Sequence, residues 1–394
     1  MQADLYDVCV AGSGPSGLAA AALLAKSGLA VAVIAPASRT ADPRTVALMQ
    51  PTVRLLRHLN LWPKIAREAE PLVQLKIVDD TGGFLSAPTL SFTAAELGLD
   101  AFGWNLPLAV LETTLRELCG GLGVTFRQAA CTRARLEPRS VTLFLDDGTT
   151  LAGRFAVAAD GIDSTLRASV GIGVDRWSYD QMALATRFSH SLPHRGVSTE
   201  YHRGAGPLTT VPLPGEVSGL VWLERPARAR ELLDMDAGAF AHELQAAIHG
   251  DLGLVAATVP RALIPMRGLL AEAFGFDRVF LVGEAAHVVP PIGAQGLNMS
   301  FRDAATAAEL LAEALRSATV PRDLVAEYGR RRRQDVVPRQ AVIHAFNRSL
   351  LSGFLPVRLA RVVALSAVGR IALLRRLAMS EGLEPSSNLP QSMR

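Results

Sequence analysis

Lysine is nearly missing from this chain: three of its 40 basic residues are Lys (Lys26, Lys64, Lys76) and the other 37 are Arg. No chemistry requires that split, which reads as the mark of a GC-rich genome. Cysteine is also scarce. Cys9, Cys119 and Cys131 are an odd set with no CxxC pair, which excludes a disulfide framework and a thiolate zinc site and fits a reducing cytoplasm. No apolar run reaches the roughly 18 residues of a membrane span. Asp4 and Asp7 stand where a secretory leader needs basic and apolar residues. No Ser-His-Asp set or paired carboxylates suggest hydrolysis. Asp146-Asp147-Gly148 reads as a turn, so no metal is expected. Arg330 to Arg333 lacks interleaved aromatics and reads as a solvated helix end, so no nucleic-acid partner is expected.

The chain is apolar for its 394 residues, 49% hydrophobic with a mean hydropathy of +0.24, enough for two or three lobes around a large core. Charge is uneven. Residues 316 to 394 carry 14 Arg and 5 acids, a net of +9 against +3 for the whole chain, so the tail is a feature of its own.

Asp7 to Ala11 reads as a buried strand, followed by Gly12-Ser13-Gly14-Pro15-Ser16-Gly17, an Ala/Leu-rich helix to Lys26, a Ser27-Gly28 stop and a second strand over Leu29 to Ile34. Arg44 to Glu68 has a helical pattern, Val73 to Val78 a strand pattern, and Leu108 to Cys119 repeats Leu at helical spacing. Val141 to Leu151 predicts a hairpin, and Phe155 to Ala159 a strand ending at Asp160-Gly161. Short runs at Ala183–Phe188, Ser198–His202, Leu208–Leu213 and Gly219–Leu223 predict an antiparallel sheet covering a pocket. Ala237 to His249 reads as one helix, Val279 to Val282 as a buried strand, and the chain beyond Asp303 as largely helical. Cys9 belongs to the core.

Gly12-x-Gly14-x-x-Gly17 lies between a strand and a helix. There, glycines let the backbone approach a pyrophosphate and the helix N-terminus offers free N–H groups. The acid that usually binds the adenosine ribose is missing, since Ala35-Pro36 fills its place; backbone and water, Ser38 or Arg39 are the alternatives. Two further motifs follow: Ala159-Asp160-Gly161 through Arg167, and Gly283-Glu284-Ala285-Ala286-His287 continuing to Pro290-Pro291-Ile292-Gly293-Ala294-Gln295-Gly296-Leu297-Asn298. This ordered triple resembles the class A flavin monooxygenases. Arg44-Thr45-x-Ala47-Leu48, Leu59-Asn60-Leu61-Trp62, Phe102 to Pro107 and the Pro290 to Asn298 segment resemble the ubiquinone-biosynthesis hydroxylases of the UbiH type.

The resemblance implies an α/β fold: a Rossmann-type FAD-binding domain (1–75, 105–180, 265–325), an inserted antiparallel-sheet substrate domain (76–104, 181–264) and a helical C-terminal region (326–394). It implies FAD as cofactor, NAD(P)H as transient reductant, dioxygen as co-substrate and a polyprenylated phenol as substrate, hydroxylated through a flavin C4a-hydroperoxide. By motif position, Gly12, Ser13, Gly14, Pro15, Ser16 and Gly17 would cradle the pyrophosphate and Arg44 would reach the phosphate or ribityl region. Asp160 would fix the nucleotide site, and Gly283-Glu284 would place a carboxylate on the ribityl chain. Pro290, Gly293, Ala294 and Gln295 would form the loop beside the ring, with Gly296, Leu297 and Asn298 offering N–H groups to its pyrimidine edge. Four positions depart from the pattern: Glu284 replaces Asp, Ala294 and Ser300 replace glycines, and Leu108 replaces Arg or Asn. His287 is the one candidate base, its alternative a structural place beside the flavin linkage. A polyprenyl reductase, a halogenase-like enzyme or a non-catalytic FAD-bound subunit of a ubiquinone-synthesis assembly are the alternatives of function.

From Phe354 to Met379 the tail is apolar with scattered Arg. At 100° per residue Arg358, Arg361, Arg375 and Arg376 share one arc, with Arg370 opposite. Two readings stand: a basic-striped helix on an anionic membrane or on ubiquinone-synthesis proteins, or a helix docked on the flavin domain. The expected location is cytoplasmic or peripheral on the inner face of the cell membrane.

Overall fold

The computed structural model describes residues 5–37, 42–82, 87–257, 260–317, 320–352, 354–383 and 389–394. Its first layer is an eight-stranded sheet. Gly275–Phe276, Val279–Leu281, Thr150–Ala158, Leu5–Ala11, Val31–Ala35 and Thr125–Gln128 lie side by side, with Val141–Leu145 and Cys131–Leu136 extending it. The strands flanking Leu5–Ala11 run parallel to it. Such strands are covered on both faces and so read as near-continuous apolar runs; Val8, Cys9 and Val10 are wholly buried. Burial pushes the Cys9 thiol up to about 12, with a smaller contribution from Cys131. The core placement of Cys9 thus leaves an inert thiol.

Helix Pro15–Lys26 follows the first strand and packs against Gln295–Arg316 and Leu108–Gly121. Leu18 and Leu24 are fully buried in these contacts, worth roughly 1.5–3 kcal/mol each. Arg44 to Glu68 departs from the helical pattern at its start. Thr45–Met49 is a strand in a three-stranded sheet with Gly103–Pro107 and Glu70–Leu72. The helix begins only at Gln50, with Pro51 in its first turn. Pairing with a strand more than fifty residues away overrides the local periodicity.

The third sheet has nine strands in the order His287–Val288, Ala262–Ala271, Val174–His190, Val217–Glu224, Leu208–Leu213, Val197–His202, Gln74–Asp79, Leu90–Thr93, with Val255–Ala257 beside Val174–His190. All its pairings are antiparallel except that of Val197–His202 with Gln74–Asp79. One face packs on helix Ala237–Ala247 through Phe188, Tyr201, Trp222 and Leu244. The other is the wall of a cavity.

The C-terminal region is helical at Gln295–Arg316, Leu324–Leu351, Leu355–Arg370 and Ala372–Leu383. Arg330 to Arg333 is not a solvated helix end. It lies inside the 28-residue Leu324–Leu351 helix, and Arg332 is 3% exposed because it bonds Asp303 (2.6 Å) and Asp335 (2.8 Å). The single basic stripe of the tail is also corrected. Arg361 turns inward and donates to the Ser349 carbonyl, while Arg375 pairs with Glu96 and lies over the Phe92 ring. The Arg358 side chain lies outside the described residues. Among the described residues no helix is long and apolar enough to cross a membrane.

Candidate active site

A cavity of about 1210 Å³ runs from the glycine loop to the nine-stranded sheet and on to the last two helices. It exceeds the roughly 300–1,000 Å³ of a pocket for one ligand, so it has room for a cofactor and a substrate together.

Its first end is built by the turn after the Leu5–Ala11 strand. Gly12 has φ +108, and a Cβ there would stand 2.0 Å from the Ala159 carbonyl oxygen. The turn can therefore lie against the end of the neighbouring strand only as glycine. A Cβ on Gly17 would meet the Gly12 carbonyl oxygen at 2.3 Å, so that residue closes the turn from behind. Gly14 is different: it faces nothing within 4 Å and caps the helix without a side-chain hydrogen bond. With Pro15 in the first turn, the helix presents N–H groups that have no intrahelical acceptor and a positive dipole end.

Gly12, Ser13, Gly14, Pro15, Ser16, Arg44, Asp160, Glu284, His287, Gly293, Ala294, Gln295, Gly296 and Leu297 all line the cavity. Gly17, Gly283, Pro290 and Asn298 stand behind the wall. Gly283 donates its N–H to Asp303 at 2.9 Å. The Asn298 side chain is a latch: its oxygen accepts from Met49 N–H and Thr52 Oγ1, and its amide donates to the Ala47 and Ala294 carbonyls. That ties the loop to the Thr45–Met49 strand.

Asp160 accepts Leu166 N–H on one oxygen, while its buried Oδ1 has no partner among the described residues. Arg44 grips Asp42 through Nε and Nη2. Glu284 is exposed to the cavity, and no hydrogen bond to it is formed by the described residues. Ala35 and Pro36 line the cavity, whereas Ser38 and Arg39 lie outside the described residues. The Gln295–Arg316 helix also starts without a side-chain cap, from Ala294 at φ +54. An alanine in the left-handed region carries strain that glycine would not, roughly 1 kcal/mol.

His287 is committed to structure at one nitrogen. Nε2 lies 2.7 Å from Asp303 Oδ2, with both residues buried. Burial alone would raise the Asp303 carboxyl, but His287 and Arg332 outweigh it and hold it below the usual carboxylate range.

Two lining features had no motif to mark them. Glu112, on the Leu108–Gly121 helix, reaches the cavity beside Arg44; burial, then the charge of Asp42, raises its carboxyl. One turn on, Arg116 donates to Ser13 Oγ at 3.0 Å. Their four-residue spacing was the only available signal. The second feature is the pair Glu200 and His202 on the sheet.

These residues fit FAD. An open glycine cradle at an uncapped helix, an orphaned buried carboxylate oxygen on Asp160 and a second uncapped helix start bordering one cavity match a pyrophosphate, a hydroxyl donor and an electron-rich ring edge.

The comparisons agree. The family model described as FAD binding domain matches residues 5–343. Ubiquinone hydroxylase UbiL of Rhodospirillum rubrum is 33% identical over 387 residues, covering 96% of this chain and 89% of that protein. The 3-demethoxyubiquinol 3-hydroxylase of Escherichia coli is 28% identical, covering 96% and 98%. Among solved structures, p-nitrophenol 4-monooxygenase PnpA from Pseudomonas putida superposes with a TM-score of 0.79 at 20% identity, covering 98% of this chain and 99% of that one. PqsL of Pseudomonas aeruginosa superposes at 0.74 and 24%, covering 95% and 100%. At those identities the two structures speak for the fold alone. The chain belongs to the FAD-binding domain family and is a class A flavin-dependent aromatic-ring hydroxylase related to the ubiquinone hydroxylases.

Proposed function

We propose that the chain hydroxylates the ring of a polyprenylated phenol in ubiquinone biosynthesis, using NAD(P)H and dioxygen. The observation that carries this reading is the shape of the cavity. Beyond the Ala294 loop it continues as an apolar arm between the sheet and the last helices, lined by Leu75, Leu90, Phe92, Leu365, Val368 and Met379. An arm of that chemistry suits a prenyl tail, while the ring lies between the sheet and the Pro291–Leu297 loop.

In this reading Gly12 to Gly17 hold the pyrophosphate, Asp160 and Glu284 accept hydrogen bonds from hydroxyls of the nucleotide and ribityl chain, and Arg44 faces the phosphates. The Gln295 helix start favours negative charge on the reduced ring. Bound FAD supplies electron transfer from the nicotinamide and oxygen transfer from dioxygen. The chain's part is to orient the two ligands and keep water out. Val368→Asp puts a charge in the arm. It is expected to raise KM for a prenylated phenol about tenfold or more, while KM for a short-chain phenol stays unchanged. Equal effects on both would refute the arm.

A prenylated phenol dissolves in lipid, and the outer face of the last two helices suits a membrane surface. Phe354, Val363, Ile371, Leu373 and Leu377 are exposed there, as are Arg370 and Arg376. The inner face is docked: a Cβ on Gly369 would lie 2.7 Å from Leu90 Cδ2. Apolar residues beside cations favour an anionic bilayer. The protein should co-float with vesicles containing anionic lipid more than with neutral ones, and Leu373→Asp with Leu377→Asp should release it. Equal flotation of this variant and wild type would sink the membrane reading.

A further inference from the structure

The cavity face of the nine-stranded sheet can be read residue by residue from its register. Across it run the rows Phe92, Leu75, Ser198 and then Leu90, Ile77, Glu200, Thr209, Val221, Ala185. Both rows line the cavity. Everything in them is apolar or a small hydroxyl residue except Glu200. The remaining carboxylates that line the cavity among the described residues, Glu112, Asp160 and Glu284, stand on the glycine-loop side.

Glu200 is held in place. His202, two residues on and so on the same face, lies with Nε2 2.9 Å from Glu200 Oε1. The His202 ring is 1% exposed and packs edge-on against Phe346 of the Leu324–Leu351 helix, and its Nδ1 has no partner among the described residues. The Glu200 side chain is 20% exposed, which leaves Oε2 available to a ligand. Other charges nearby are engaged. Lys76 bonds Asp251, Arg203 bonds Asp80, and Asp79, the register partner of His202, accepts Ala87 N–H and Thr81. Arg361 of the penultimate helix faces Asp79.

We propose that Glu200 accepts the proton of the substrate's phenolic hydroxyl and that His202 is the residue that positions it. This rests on the phenol reading above. Before reaction, Glu200 Oε2 accepts a hydrogen bond from the phenol O–H and fixes the ring's orientation. As a ring carbon bonds to one oxygen atom of the dioxygen that bound FAD would activate, the O–O bond breaks and the other oxygen leaves with its electron pair; electron density leaves the phenol oxygen, whose proton becomes strongly acidic. The O–H bond then breaks, the proton passes to Glu200, and the released pair completes a ring C=O. The oxygenated carbon then gives its proton to the oxygen that left, which departs as water, aromaticity is restored, the ketone oxygen takes a proton back from Glu200, and the carboxylate is regenerated.

The test compares FAD-loaded wild type with Glu200→Gln, Glu200→Asp and His202→Gln, using 4-nitrophenol as binding probe and a prenylated phenol as substrate. Flavin absorbance verifies that each variant is folded. In Glu200→Gln, product per NAD(P)H consumed is expected to fall about 100-fold, with hydrogen peroxide made instead. The pH at which bound 4-nitrophenol turns yellow should drop by about one unit, because the carboxylate that opposes the phenolate is gone. Glu200→Asp should restore the nitrophenol midpoint, and His202→Gln should lower product yield less than Glu200→Gln. Wild-type yield in Glu200→Gln, or an unmoved nitrophenol midpoint, would overturn the assignment alone. A wild-type protein that binds FAD yet no phenol would overturn the phenol reading with it.

Discussion

Replacing Asp303 with alanine is expected to destabilise the fold by about 3–5 kcal/mol, the range for removing one partner of a buried ion pair. The carboxylate is fully buried and takes three bonds: Arg332 Nε at 2.6 Å, His287 Nε2 at 2.7 Å and Gly283 N–H at 2.9 Å. Without it, Asp335 is left to pair with Arg302, Arg332 and Arg339 in this cluster. The site would also loosen, because Gly283 and His287 flank Glu284. The same network sets a pH dependence. Asp303 and Asp335 are both held below the usual carboxylate range, burial opposing and the neighbouring cations prevailing. Their contribution is therefore present above the unfolded carboxylate value of about 3.9 and is lost as pH falls through the lower folded values. Urea unfolding of wild type and Asp303→Ala at neutral pH measures the difference; a loss under about 1 kcal/mol would contradict the network's role.

The second large effect separates binding from folding. Gly14→Val should leave a folded protein that has lost FAD affinity by at least about 100-fold, or roughly 2.7 kcal/mol. Gly14 has φ −71, which any residue adopts, and its missing side chain faces open cavity. A Cβ there meets nothing within 4 Å, so the valine side chain would extend into the cradle instead. Gly12→Ala should fail differently, in folding, since its Cβ would enter the Ala159 carbonyl at a φ that alanine avoids. Far-ultraviolet circular dichroism and flavin titration distinguish the two. A Gly14→Val protein that takes up FAD like wild type would place the pyrophosphate elsewhere.

What the sequence revealed was mostly what short-range patterns encode. The strand, glycine turn and helix at Leu5 to Lys26 depend on neighbours a few residues away, and so does the Asp146-Asp147-Gly148 turn, where Asp147 accepts from Thr149. The alternation of Ser198, Thr199, Glu200, Tyr201 and His202 marked a strand. It did not say that the Tyr201 side meets a helix and the Glu200 side a cavity, because that depends on which elements cover each face. Thr45–Met49 looked helical since its partner strand lies far along the chain. Arg332 looked solvated and Arg375 looked like part of a basic stripe since their partners, Asp303 and Glu96, are 29 and 279 residues away. Charges are legible in a sequence; what neutralises them is decided by the fold.

The central claim is tested most directly by supplying isotopically labelled dioxygen to the FAD-loaded protein with NADPH and a prenylated phenol, and weighing the product. The account predicts one labelled oxygen atom on the aromatic ring, formed only when phenol, nicotinamide and flavin are all present. A protein that binds FAD and is reduced by NADPH, yet leaves the ring unlabelled under these conditions, would contradict it.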